Sequence, residues 1–507
     1  MVNSFVPEYG YRKLTFIKSN EEELRQLHNT VLMKIIADTY KNFIPLGDAL
    51  TKTQYGYTTS AKLDGNSKLL RITDITEGVI DWPSVPFCDC KELKKYSLNE
   101  EDILITRTGG TTGKTVFIKN IPTNCVFASY LIRLTVNASF NPEYIYLFLN
   151  SYLFWNQILE MKNGTAQPNV NAEKMKQLMF PACSVDVQNK IVHYKNTGEL
   201  SRSEILHTAK LKFNRVKNIN CLRQLFKDEV ETQEALLYNL RQSVLQEAIE
   251  GKLTAQWRKE NPKLISGENH ASKLLERIKA EKERLIKEGK IKKEKPLSPI
   301  TNEEKPFELP EGWEWCRLGD LCSKIGSGST PKGSNYSTKG ILFFRSQNIH
   351  DDGLDCDDIK FISSEVHKQM KGTAVIAGDL LLNITGGSLG RCALIPVDFR
   401  EGNVSQHVCI IRSILMSKGF MHKIVLSPQF QKVMFESTTG AGREGLPKYN
   451  LEQFVVPVPS VIEQQVIVNL VDKFTIMVGE LDKQVAERKD HSEMLMRAVL
   501  REAFERT

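Results

Sequence analysis

The chain has 507 residues, 41% hydrophobic and 25% charged, with 68 Lys and Arg against 61 Asp and Glu and a formal net charge of +7. That length suits roughly three or four ordinary domains. No apolar run reaches the roughly 18 residues of a membrane span, and the first residues lack a signal-peptide core. Ten cysteines are scattered without a CxxC spacing, and Cys88-Asp89-Cys90 has no matching second pair. This argues against a zinc site and for reduced thiols in a cytoplasm. The mild positive charge is compatible with nucleic acid without requiring it.

Taken in order, Ser19 and Glu22 stand at capping-box spacing, and Leu24, Leu27, Val31, Leu32, Ile35 and Ile36 follow at helical spacing to about Tyr40. From Ile44 to about Phe180 short apolar runs alternate with Gly, Thr and Asn turns. Leu69 to Ile75, Ile103 to Thr106 and Val126 to Leu134 read as strands, and Tyr144 to Met161 as a helix. From Asp186 to about Lys252 the spacing predicts a long amphipathic helix or a broken pair, stopping at Gly251. A charged helix from Leu274 to Lys290, a basic tail and a Pro-rich stretch then read as a solvated linker or, alternatively, as a phosphate-binding segment. Val461 to Phe504 reads as a second long helix.

Much of this pattern occurs twice. Asp102-Ile103-Leu104-Ile105 leads to Gly113-Lys114, and Asp379-Leu380-Leu381-Leu382 leads to Gly390-Arg391, at a constant offset. Leu46-Gly47-Asp48 answers to Leu318-Gly319-Asp320. Gly164, Pro168 and Asn171 answer to Gly442, Pro447 and Asn450. The helix ends match as well: Val244-Leu245-Gln246-Glu247-Ala248 against Val499-Leu500-Arg501-Glu502-Ala503. The unit that repeats is a globular α+β domain followed by a long helix, too large for a solenoid period. Two similar recognition domains suit a ligand with two similar halves, and DNA is the foremost candidate.

Catalytic readings fail one by one. Gly113-Lys114-Thr115 fits the end of a phosphate loop, but Thr108 stands where its first glycine belongs, and Arg391-Cys392 follows the second copy. A glycine turn between two strands is the simpler reading. Asn141-Pro142-Glu143-Tyr144 only approaches the Asn-Pro-Pro-Tyr tetrapeptide of amino-group methyltransferases, and no strand leads into a Gly-x-Gly cofactor loop. Asp351, Asp352, Asp355, Asp357 and Asp358 lack calcium-loop order and suit an acidic surface loop. The nine histidines form no HExxH spacing. What remains is binding by polar loops, Lys52 to Ser60 in the first domain and Ser327 to Tyr336 in the second. Their residue types suit base edges and phosphates, or simply a polar surface.

The order domain, helix, domain, helix resembles the DNA specificity subunit of type I restriction–modification systems. Leu240 to Leu253, Leu274 to Lys293 and Pro306 to Trp315 are similar to that family's central region, and Leu318-Gly319-Asp320 with Gly328-Ser329-Thr330-Pro331 to its target-recognition domains. The first domain departs from the pattern. It lacks the Gly312-Trp313 opening of the second and carries an N-terminal extension. The expected layout is extension 1–43, recognition domain 44–184, long helix 185–255, charged helix and linker 256–311, recognition domain 312–460 and long helix 461–507.

The resemblance implies a non-catalytic chain with a pseudo-twofold repeat. Each domain reads half of a bipartite double-stranded target, and two antiparallel, coiled-coil-like helices set the gap. It implies two methyltransferase subunits as partners, restriction and translocase subunits beyond them, and no membrane. S-adenosylmethionine, ATP and Mg2+ are implied for those partners only, with no cofactor in this chain. DNA contacts are expected from Gln54, Tyr55, Tyr57, Arg107, Thr111 and Lys114, and from Ser329, Lys332, Tyr336, Arg345, Gln347, Arg391, Arg443 and Lys448. Leu237, Leu240 and Val244 on one helix, with Leu495, Val499 and Phe504 on the other, are expected to be buried in the spacer or under a partner. The alternatives are the specificity part of another methylation-based phage defence or of a fused restriction–methylation enzyme, and a duplicated adaptor that binds no DNA.

Overall fold

The computed structural model describes residues 14, 17, 19–76, 78–107, 112–162, 171–200, 203–331, 333, 336–438 and 445–505. They form two compact units, residues 1–230 with 487–507 and residues 231–486.

Helix α1 spans Asn20–Tyr40, and the Ser19 hydroxyl accepts the Glu22 N–H at 3.1 Å, as a cap should. The helix is no appendage. Leu27, Val31, Leu32, Ile35 and Ile36 are buried in one cluster with Tyr144, Phe148 and Phe154 of the first domain. Helix α1 thus packs into the core of the first domain.

Besides two two-stranded ladders, the first domain holds a four-stranded and a three-stranded sheet. In one, Leu50–Tyr55, Leu131–Val136, Ile103–Thr106 and Thr115–Phe117 lie in that order, all antiparallel. In the other, Ser67–Leu70 sits between Phe87–Cys88 and Cys125–Phe127, parallel to the latter. The expected strand from Val126 to Leu134 is therefore two strands in different sheets. Leu131 donates to the Ala128 carbonyl at 2.9 Å and turns the chain between them. Leu69 to Ile75 likewise ends as a strand at Leu70, where a 3-10 turn over Ile72–Asp74 takes over.

The expected helix from Tyr144 to Met161 is also two, α2 over Pro142–Leu149 and α3 over Tyr152–Lys162. No Pro or Gly marks the break. It is made by side chains: Asn150 donates to the Tyr146 carbonyl and to Thr115 Oγ1, and Ser151 donates to the Phe148 carbonyl at 2.6 Å. The Asn-Pro-Glu-Tyr segment caps α2, with Asn141 Oδ1 accepting from Glu143 N–H at 2.9 Å. Helix α4 covers Val185–Thr197 and ends on left-handed Gly198. Helix α5 then runs unbroken over Glu204–Ile249, about 69 Å at 1.5 Å per residue. Gly251, at φ +72°, closes it: its N–H reaches the Ala248 carbonyl and that of Lys252 the Glu247 carbonyl.

The second domain repeats the first. Cys322–Ser327, Val408–Ser413, Leu380–Asn383 and Cys392–Leu394 form the antiparallel sheet, and Ile341–Phe344 runs parallel to Gly402–Val404 in the other. The charged helix α6, Ala271–Lys287, is not a solvated linker. Ala271, Leu274 and Ile278 enter the core of the second unit. The Pro-rich stretch after it is strapped down by Arg317, which donates to the Ser298 and Pro299 carbonyls and pairs with Glu304. Helices α7, Lys418–Leu426, and α8, Pro428–Glu436, break at Ser427 as α2 and α3 break at Ser151. Helix α9 runs over Val461–Glu505.

Within the second unit the end of α5 and the start of α9 run antiparallel, with Arg241 paired to Asp482 and Val244, Ala248 and Ile249 clustered with Ile467, Val468 and Val471. The seam between the helices takes in only part of the expected set. Val244 is buried and Leu237 half-buried, but Leu240 is 44% and Leu495 64% exposed on this chain. The side chains of Val499 and Phe504 lie outside the described residues.

In the first unit His28 of α1 stacks on Phe213 of α5 with ring centroids 3.8 Å apart, and its Nδ1 lies 2.9 Å from Lys195 Nζ of α4. Burial, with Lys195 adding to it, pushes the imidazole down to about 3. An unfolded histidine titrates near 6.5. As pH falls below that value the unfolded chain takes up a proton the folded chain refuses. Stability is then lost at about 1.4 kcal/mol per pH unit until the folded value is reached. We expect the first unit to lose about 2 kcal/mol between pH 6.5 and 5, and His28→Leu to flatten that slope. Thermal unfolding across this range checks it, and an unchanged slope in the variant would reject the assignment.

Candidate nucleic-acid interface

The repeated Asp-to-Gly motif resolves into scaffold. Asp102 is buried beside Arg133 of the neighbouring strand at 3.2 Å, and Asp379 accepts two bonds from Arg412, each at 2.7 Å. Burial holds the Asp102 carboxyl above its ordinary range despite the guanidinium. In each motif the strands on either side of the loop pair with each other, and among the described residues no α-helix starts between them to present its N–H groups to a phosphate. Gly113 and Gly390 close those hairpins at φ +95° and +90°. A Cβ at Gly113 would meet the Trp155 ring of α3, and one at Gly390 would meet Gln431 and Met434 of α8.

A second pair of glycines brings the polar loops together. A Cβ at Gly56 would sit 2.3 Å from the Phe127 and Ala128 carbonyl oxygens, and one at Gly328 would sit 1.9 Å from that of Val404. Only glycine lets one backbone cross so close to the other. Tyr57 N–H then reaches the Phe127 carbonyl at 2.7 Å, and Ser329 N–H the Val404 carbonyl at 3.1 Å. The third loop joins from the hairpin side. Arg107 N–H reaches the Tyr130 carbonyl at 3.1 Å, and Ile384 N–H that of His407 at 3.0 Å. Each domain thus gathers three loops distant in sequence at one edge.

The side chains there differ between domains. In the first, the Arg107 guanidinium lies over the Tyr55 ring at 4.9 Å, and Tyr57 packs on Tyr96 at 5.1 Å. In the second, Thr330 bonds Gln406, Gln406 meets His407 at 3.1 Å, and Thr385 meets the other His407 nitrogen at 2.6 Å. Gln406 and His407 are exposed. Together they offer donors and acceptors suited to base edges, and a cationic stack suited to a base face or phosphate. Thr330 and Thr385 lie in segments the sequence singles out, whereas Gln406 and His407 carry no local motif and escape sequence reading.

Other expected contacts lie elsewhere. Gln54 is spent inside the domain, bridging Arg133 Nη2 at 2.6 Å and the Lys95 carbonyl at 2.9 Å. Lys114 is half-buried in a small cleft with Gln26 and Trp155. Tyr336 packs on Phe343. Arg345 and Gln347 converge on Asp358 at 3.0 and 2.9 Å. Lys448 pairs with Glu294 and Glu452. Arg391 lines a cleft of about 690 Å³ with Asp351, Tyr238 and Phe474, on the helix side of the domain. Thr111, Lys332 and Arg443 lie outside the described residues, as do the landmarks Gly164, Pro168 and Gly442.

Both copies match one family. The sequence model of the type I restriction modification DNA specificity domain covers residues 46–197 and 310–487, more than half of the chain. The chain belongs to that family. The Type I restriction enzyme EcoAI specificity subunit of Escherichia coli is 39% identical over 157 residues, 31% of this chain and 25% of that protein. The EcoKI specificity subunit of Escherichia coli K12 is 30% identical over 241 residues, 46% of this chain and 47% of that one. The chain thus spans a quarter of the first of these relatives and about half of the second. A solved chain described for complex assembly and conformational transition of the type I R-M system shares the fold. Its TM-score is 0.51 at 16% identity, over 91% of this chain and 97% of that one.

For a specificity-family chain with these loop clusters, the clusters should be independent in effect. Arg107→Ala should weaken DNA binding by about 1–3 kcal/mol and relax discrimination in one half-site, and Gln406→Ala in the other. Binding selections on randomised targets would show it. Loss of discrimination in the same half-site for both variants would contradict this assignment.

Proposed function

We propose that this chain is the specificity subunit of a type I restriction–modification complex in the cytoplasm. Each domain reads one half of a bipartite double-stranded DNA target, and α5 and α9 set the gap between halves. The observation that carries the reading is the equivalence of the two loop clusters, built on matching glycine crossings and both within the matched family segments. Two readers of one architecture with different side chains suit two half-sites of different sequence.

Catalysis is assigned to partners. The chain docks two methyltransferase subunits, which carry S-adenosylmethionine. Restriction and translocase subunits bring the ATP and Mg2+ requirement. Leu236, Tyr238 and Leu240 of α5 and Ile476, Met477 and Leu481 of α9 stand exposed on the helices, which supports docking of the methyltransferase subunits there. No helix among the described residues is long and apolar enough to cross a membrane.

Exchanging residues 313–459 for their counterpart from a related subunit tests the reading. Methylation mapping in cells should show one half of the motif changed, with the other half and the gap kept. Simultaneous change of both halves would show a single composite surface and reject the two-reader mechanism.

A further inference from the structure

Helix α1 carries a third copy of the sequence that ends the two long helices. Leu24, Leu27, Val31, Leu32, Ile35 and Ile36 match Leu237, Leu240, Val244, Leu245, Ala248 and Ile249 at one constant offset. The end of α9 matches the same series with Leu495, Val499, Leu500, Ala503 and Phe504.

Two of the three copies have equivalent berths. The end of α5 lies on the α7–α8 pair of the second domain, where Gln246 Oε1 accepts the Gln429 N–H at the start of α8 at 3.1 Å. Val244, Ala248 and Ile249 are buried there with Phe420, Ile424 and Phe430. Helix α1 lies on the α2–α3 pair of the first domain. Thr30 Oγ1 accepts the Tyr152 N–H at the start of α3 at 2.8 Å, and Asn29 donates to the Asn150 carbonyl at 2.9 Å. The two pairs are the same element, each broken at a serine that bonds back at 2.6 Å. Each domain thus has one berth for a helix of this pattern. Among the described residues there are three such helices and two berths.

We propose that α1 and the end of α9 are alternative occupants of the berth in the first domain. By the internal repeat, the second long helix should finish on the first domain as the first finishes on the second. Helix α1 holds that place. The spare copy sits in the same compact unit, and its Leu495 is 64% exposed, against 44% for Leu240 at the same position of the berthed α5 and full burial for Leu27. Exchange of the two would move the attachment of the first domain from the N-terminal helix to the spacer helix. It would also free α1 as an apolar ligand for another copy of the same berth.

A mutant cycle in the full-length chain tests the exchange. Leu27→Asp with Val31→Asp should expel α1 yet leave a cooperative thermal transition, because the end of α9 moves in. Val499→Asp with Phe504→Asp should leave the transition unchanged, because α1 is in place. All four changes together should abolish it, a non-additivity that independent sites do not show. In the α1 variant, amide exchange over 495–505 should slow by about tenfold while residues 19–41 become open to protease. The proposal is overturned if the α1 variant alone loses its transition, if the fourfold variant melts like the α1 variant, or if exchange over 495–505 is unchanged.

Discussion

Each domain begins and ends on the same short ladder. Phe43–Pro45 pairs antiparallel with Met179–Pro181, and Glu314–Arg317 with Val455–Val458. Everything between those strands is therefore a closed excursion whose two ends leave from one place. Backbone pairing fixes that exit irrespective of what the loops between carry. A domain held in this way can change its loop residues without moving the helices that follow it, which is what the proposed two-reader arrangement requires.

The second domain adds a buried clasp at its exit. Glu463, at the start of α9 and fully buried, accepts from Thr254 Oγ1 at 2.6 Å, Arg258 Nη1 at 2.6 Å and Trp313 Nε1 at 2.8 Å. One carboxylate thus ties the segment that follows α5, the opening of the domain and the start of α9. Breaking a buried pair of this kind leaves a charge uncompensated and costs roughly 3–5 kcal/mol. The Gly312-Trp313 opening, visible in sequence as a family mark, is in structure the donor that completes this clasp. The first domain lacks it and is held instead by α1, with Asn20 bonded to Asn220 and Glu23 paired to Arg223 of α5.

Periodicity made the three large helices legible, because α1, α5 and α9 keep apolar residues at spacings of three and four, and Gly251 marks a stop. The duplicated Asp-to-Gly strands gave the sheet core of both domains. What escaped was set by tertiary contact. Asn150 and Ser151 break a helix without Pro or Gly, and residues 128–130 pass one apolar run between two sheets. The face of α6 looks like a charged linker until its Leu274 and Ile278 find a core. The loop cluster was half legible. Tyr57, Arg107 and Ser329 lie in polar segments, but Gln406 and His407 join them only because Gly328 lets two backbones cross. Nothing local announces that crossing.

The central claim is that reading and spacing are separate properties carried by separate elements. Lengthening α5 and α9 together by seven residues, two helical turns, adds about 10.5 Å at 1.5 Å per residue, or about three base pairs at 3.4 Å each. Methylated-motif mapping in cells should then return both half-sites unchanged, with a gap about three base pairs longer. An unchanged gap, or an altered half-site, would contradict the account.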